Sequence, residues 1–133
     1  MQILVAEDNA VSSKIMKYLL EPLGNVEVVG DGGEAVELTE FCIDENTPFE
    51  LICLDVHMPT MDGYETLRKI REIEERKGMT ADEKALIVMI SVDAASSEDE
   101  FGDMYQAYMT KPVSKQDLFK VLTDIGVTHP DAE

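Results

Sequence analysis

The sequence predicts a single doubly wound α/β domain, a five-stranded parallel sheet with helices on both faces. Two observations carry this. Short apolar runs alternate with longer amphipathic stretches, five times along 133 residues. Three of the runs are apolar nearly throughout rather than every second residue, as strands covered on both faces require. Strict strand–helix alternation folds as a parallel sheet with right-handed crossovers.

The strands are expected at Ile3 to Ala6, Val26 to Val29, Leu51 to Leu54, Leu86 to Ile90 and Ala107 to Met109. The first helix carries Val11, Ile15 and Leu19 at i, i+4, i+8; the last carries Leu118, Val121, Leu122 and Ile125 at i, i+3, i+4, i+7. Side chains that can cap free N–H groups precede the helices. Asn9 stands before the first and Asp31, with Glu34, before the second; Asp62 with Glu65 and Ser114 with Asp117 repeat the capping-box spacing. Ser96 or Ser97 is the expected start of a short fourth helix, weakened by Gly102 and by the crowded acids Glu98, Asp99, Glu100 and Asp103. Gly24 and Gly126 fall where helices should turn at their C-termini. The stretch from Arg76 to Lys84 reads as a helix end and a solvated loop.

Composition narrows the function classes. There are 28 Asp and Glu against 11 Lys and Arg, a formal net charge of −17. Nucleic acid and anionic membrane carry the same sign and are excluded as partners of this domain. Apolar residues at 44% separate the chain from disordered acidic tails. Cys42 and Cys53 are too few for a disulfide scaffold, and no signal peptide or membrane-length run is present. A cytoplasmic protein is expected.

In open parallel sheets, sites form beyond the carboxyl ends of the strands. Here the first strand ends in Glu7-Asp8, the third in Asp55, the fourth in Ser91 and the fifth in Lys111-Pro112. Three carboxylates, a hydroxyl and an ammonium therefore converge on one edge. Two unit charges ~4 Å apart repel by roughly 4 kcal/mol at an effective dielectric near 20. A cation or a proton must relieve three of them. An all-oxygen set suits Mg²⁺, with Mn²⁺ as an alternative, and no His or Cys cluster favours zinc. A carboxylate beside such an ion can attack phosphorus, with Lys111 and Ser91 placed to stabilise the transferring oxygens.

Asp55-Val56-His57-Met58-Pro59-Thr60-Met61-Asp62-Gly63 resembles the phosphoacceptor signature of the response-regulator receiver domain of two-component signalling. Glu7-Asp8-Asn9, Ser91 and Lys111-Pro112 match the family's other marks in order, and the resemblance covers residues 2 to 126. It implies a flavodoxin-like strand order 2-1-3-4-5, a receiver domain over 1–126 and a flexible tail over 127–133. It implies Asp55 as phosphoacceptor, and Glu7, Asp8, Asp55 and the His57 backbone carbonyl as Mg²⁺ ligands. Lys111 pairs with Asp55 and then with the phosphoryl group, Ser91 moves toward that group, and Tyr108 is the switch aromatic. Pro112 carries a cis Lys–Pro bond.

The implied function is a phosphorylation-dependent switch. A sensor histidine kinase or a histidine phosphotransfer protein donates the phosphoryl group. The surface around the fourth helix, fifth strand and fifth helix then acts on a downstream protein target or output domain, or forms a phosphorylation-dependent homodimer. The chain is no enzyme beyond its own phosphorylation and dephosphorylation.

Other residues have plainer readings. Met58 and Met61 pack the loop after Asp55, Gly63 lets the chain turn into the third helix, and Cys53 is a buried small hydrophobe. The His57 side chain is either idle or lies over the site. Val92 replaces the small residue usual after Ser91 and is expected to narrow the entrance. His129 belongs to the tail. The acids from Glu98 to Asp103 are a solvated face or a surface for a basic partner. Two other functions compete. One is a phosphorylation-independent interaction domain, disfavoured because every acid and the lysine are retained. The other is a haloacid-dehalogenase-type phosphohydrolase, which needs an Asp where His57 stands and a nucleophile on the first strand.

Overall fold

A computed structural model describes residues 1–93 and 100–128. Its strands are β1 (Gln2–Ala6), β2 (Asn25–Val29), β3 (Leu51–Asp55), β4 (Leu86–Ser91) and β5 (Ala107–Thr110). Its α-helices are α1 (Ala10–Leu20), α2 (Gly32–Asp44), α3 (Gly63–Arg76) and α4 (Lys115–Asp124), and a 3-10 turn, Glu21–Leu23, follows α1. All strand pairs are parallel, in the order β2-β1-β3-β4-β5. Each expected strand is present, extended by no more than one residue at either end.

The caps form as the sequence predicts. Asn9, Asp31, Asp62 and Ser114 each accept a backbone N–H three residues on, from Ser12, Glu34, Glu65 and Asp117. Each satisfies a donor the first helical turn would otherwise leave open. The helix expected from Ser96 or Ser97 begins outside the described residues, as do Glu98 and Asp99. From Glu100 to Met104 the chain makes turns rather than helix. The expected fifth helix is therefore α4 of the described structure. His129 also lies outside it.

Two apolar cores, one on each face, explain the continuous apolar strands. Ile3, Val5, Leu51, Cys53, Val88 and Ile90 point to one face and pack with Met16 and Leu20 of α1 and Leu118 and Leu122 of α4. Leu4, Ala6, Ile52, Leu54, Ile87 and Met89 point to the other, with Ala35 of α2 and Leu67 and Ile70 of α3. Period-two alternation of side chains sends neighbours to opposite faces, and both faces are covered. Truncating a core residue such as Leu122 to Ala costs about 2–5 kcal/mol. The two cores hold the strand ends as one rigid edge. None of the helices among the described residues is long and apolar enough to cross a membrane.

Candidate functional site

The parallel register brings the strand ends together. Glu7 follows β1, Asp55 ends β3, Ser91 ends β4, and Lys111 follows β5 directly. Glu7 is 6% exposed, Asp55 5% and Ser91 0%. Asp8 is exposed, facing solvent at the rim. Glu7, Asp8 and Asp55 each offer a carboxylate oxygen within 4.8 Å of the others.

Lys111 relieves part of this charge. Its Nζ lies 2.6 Å from Glu7 Oε1 and 3.1 Å from Asp55 Oδ2. Burial and the neighbouring Asp55 carboxylate still push Glu7 up to about 7, against the pull of Lys111. Partial burial lowers the lysine, but its hydrogen bonds to Glu7 and Asp55 outweigh that and its pKa is raised. The Lys111 ammonium and the raised pKa of Glu7 both ease the crowding of three adjacent carboxylates. The donor set is all oxygen, which fits a hard divalent cation.

Backbone geometry fixes Asp55. The Val56 N–H donates to Ile90 O at 2.8 Å, and the His57 N–H donates to Asp55 Oδ1 at 3.2 Å. The Gly63 N–H returns to Val56 O at 2.8 Å. Gly63 opens α3. Its conformation needs no special freedom; what it supplies is space. A Cβ there would lie 2.4 Å from the backbone oxygen of Asp55 and 2.8 Å from Val56 Cα. Between them, Thr60 occupies the left-handed region at φ 71°, a conformation uncommon for a β-branched residue. Met58 packs against the core of the α2/α3 face.

The hydroxyl and aromatic sit around Asp93, a residue the sequence reading passed over. The Asp93 N–H donates to Ser91 Oγ at 3.0 Å, and Tyr108 Oη donates to Asp93 O at 2.9 Å. Asp93 Oδ2 also lies 2.8 Å from His57 Nε2, so the imidazole is not idle but bridges the loops after β3 and β4. Both side chains are largely exposed, 59% and 69%. No local motif marks this pair; only the fold brings position 93 to position 57. Lys111–Pro112 is cis. Val92, 64% exposed, forms one lip of an apolar cleft of about 370 Å³ that opens beside Asp55, with Ile15, Met16 and Val113 on its walls. Cys53 also lines it, but burial pushes its thiol up to about 12 and leaves it unreactive.

Comparison with known proteins agrees with this geometry. The family described as the response regulator receiver domain matches residues 3–123. A probable histidine kinase 2 of Oryza sativa subsp. indica is 32% identical over 136 residues, 92% of this chain but 12% of that protein. The hybrid signal transduction protein dokA of Dictyostelium discoideum is 36% identical over 123 residues, 92% of this chain and 7% of its own. The chain thus spans only a small part of these relatives. The receiver domain of the histidine kinase CKI1 from Arabidopsis thaliana, solved with Mg²⁺ and BeF3⁻, superposes with a TM-score of 0.77 at 28% identity, covering 96% of this chain and 90% of that one. The buried aspartate at the end of β3, the acidic pair after β1 and the lysine after β5 stand on a fold and a sequence that belong to the response-regulator receiver domain family.

Proposed function

We propose that this domain is a phosphorylation-dependent signalling switch that accepts a phosphoryl group on Asp55 from a histidine kinase or a histidine phosphotransfer protein. The observation that carries the reading is the Asp55 carboxylate itself. It is 5% exposed, fixed by the His57 N–H, and paired with Lys111 within the Glu7–Asp8–Asp55 cluster. The similarity to a stretch of a probable histidine kinase and to the receiver domain of the histidine kinase CKI1 supports the class of donor.

Glu7, Asp8, Asp55 and the His57 backbone carbonyl would hold Mg²⁺, which would neutralise charge on the transferring phosphoryl oxygens; Mn²⁺ shares the preference for oxygen ligands. One Asp55 oxygen attacks phosphorus, the donor's phosphorus–nitrogen bond breaks, and the imidazole leaves with the electron pair. No general base is needed, because the carboxylate is already ionised. Lys111 moves from its two carboxylates onto the new phosphoryl group. Ser91 exchanges the Asp93 N–H for a phosphoryl oxygen, and Tyr108 loses its tie to the Asp93 carbonyl. The face around β5 and α4 shifts its population accordingly, toward a downstream protein or a second copy.

The approach is open to a protein donor. Val11, Ile15 and Val92 are 67%, 49% and 64% exposed, and Ile15 and Val92 flank the cleft at Asp55. The test is intact-mass measurement after incubation with acetyl phosphate and Mg²⁺. One labile phosphate on the wild type and none on Asp55→Asn is the expected outcome. No modification, together with no response to beryllofluoride, would favour a phosphorylation-independent interaction domain; turnover of external phosphate esters would favour a phosphohydrolase.

A further inference from the structure

An ion pair between buried Glu74 and half-buried Arg71 joins α3 to the starts of β4 and β5, at the end of the sheet away from the phosphoacceptor. Glu74 is 1% exposed, on the apolar side of α3 among Leu67, Ile70 and Ile73. Arg71 Nη1 donates to Glu74 Oε1 at 2.6 Å and to Ala85 O at 2.9 Å, and its Nε donates to Met104 O at 2.8 Å. Its Nη2 donates to Gln106 Oε1 at 3.2 Å. Glu74 Oε2 accepts the Ala85 N–H at 2.8 Å, and Gln106 Oε1 also accepts the Ile87 N–H at 2.7 Å. The Gln106 N–H closes the set on Ile87 O at 2.9 Å. One guanidinium thus fastens the residue before β4 and the residues before β5 to α3. Only a planar fork with several donors can make these bonds at once.

The other end of the β4–β5 connection is held differently. There Asp93 is tied by the exposed His57 pair and the exposed Tyr108 hydroxyl, and exposed pairs contribute little. Tyr64 stands two turns before Arg71 on α3 and stacks on Phe101, with ring centroids 5.0 Å apart and planes at 23°. Among the described residues, the connection is therefore held by the Arg71 fork at the base of β5, and at the phosphoacceptor edge by the Asp93 N–H on Ser91 Oγ and two exposed side-chain contacts.

We infer that Arg71 is a positioning residue that fixes the base of β5, so that a change at Ser91 and Asp93 reaches the Tyr108 side chain without sliding β5 along β4. Sliding would be costly to the site. Met89 pairs with Tyr108 and Ser91 with Thr110, and Lys111 follows immediately. A shifted β5 would carry the lysine off Asp55. This inference rests on the phosphoacceptor reading.

Amide hydrogen exchange of the whole chain, with and without Mg²⁺ and beryllofluoride, tests it. In the wild type, protection at His57 and Asp93 should change by about tenfold or more, while Gln106 and Ile87 stay within about twofold. Two variants loosen the clamp. Arg71→Lys keeps the charge and loses the fork; Arg71→Met with Glu74→Met removes both charges and strands neither. In at least one of them the response should spread to Gln106 and Ile87. A wild type in which Gln106 responds as strongly as Asp93, or variants that both leave Gln106 insensitive, would overturn the inference alone. A wild type with no response at His57 or Asp93 would overturn the phosphoacceptor reading and the inference with it.

Discussion

The Lys111 ammonium sits closer to Glu7 than to Asp55, 2.6 Å against 3.1 Å. The lysine is therefore held most closely by Glu7 and not by Asp55, the proposed phosphoacceptor. Glu7 is buried beside a second carboxylate and is pushed up to about 7 from an ordinary 4.5. Its protonation state therefore ties stability to pH.

The sign follows from that shift. Between about 4.5 and 7 the folded chain binds more protons at Glu7 than the unfolded chain does. Without a divalent cation, stability should fall as pH rises through this window, by on the order of 2 kcal/mol from this residue. Lys111, raised above 10.5, contributes stability that is lost only at more alkaline pH. Thermal melts in EDTA should show the fall for the wild type and a shallower one for Glu7→Gln. With Mg²⁺, which competes with that proton, the difference between pH 5 and pH 8 should shrink or reverse. A Glu7→Gln slope equal to the wild type's would contradict this.

Gly63 should not tolerate a side chain. Alanine there would place a methyl 2.4 Å from the backbone oxygen of Asp55, and neither backbone can yield without moving the loop or the start of α3. Gly63→Ala should cost about 2–3 kcal/mol in urea unfolding and weaken beryllofluoride binding as well. Wild-type stability in this variant would mean that the loop relaxes freely.

Val92 stands at the lip of the cleft beside Asp55. Val92→Ala should raise the rate of phosphorylation by acetyl phosphate and the rate of hydrolysis together, each by about threefold, equivalent to well under 1 kcal/mol of barrier. Unchanged rates would show that the valine does not limit access.

Removing the Tyr108 hydroxyl separates stability from switching. Its bond to the Asp93 carbonyl is exposed, so Tyr108→Phe should lower the melting temperature by less than about 4 °C. Solution NMR should nevertheless show Asp93 already shifted toward its beryllofluoride-bound position in the absence of ligand. A large loss of stability, or unchanged Asp93 signals, would argue against a switching role.

Much of this was legible in the residues. Strands buried on both faces read as apolar runs, and each cap side chain stands three residues before the N–H it binds. The site could be read from strand ends alone, because a parallel sheet forces Glu7, Asp55, Ser91 and Lys111 onto one edge. What stayed hidden depends on distance in the chain. Glu74 reads as one more solvated charge on a charged helix, yet it is buried because Ala85 and Arg71 satisfy it. Asp93 reads as an ordinary loop acid until the fold brings it to His57 and Tyr108. The space that Gly63 provides is likewise a property of the folded loop, not of the Asp-Gly pair.

The most direct measurement concerns Asp55. After reaction with acetyl phosphate and Mg²⁺, borohydride reduction converts an aspartyl phosphate to homoserine, which tandem mass spectrometry locates. Homoserine at Asp55, dependent on Mg²⁺ and absent when Lys111 is replaced by Ala, is the expected result. Homoserine at Asp8 or elsewhere with Asp55 unmodified, or none at all, would contradict the assignment of Asp55 as the phosphoacceptor.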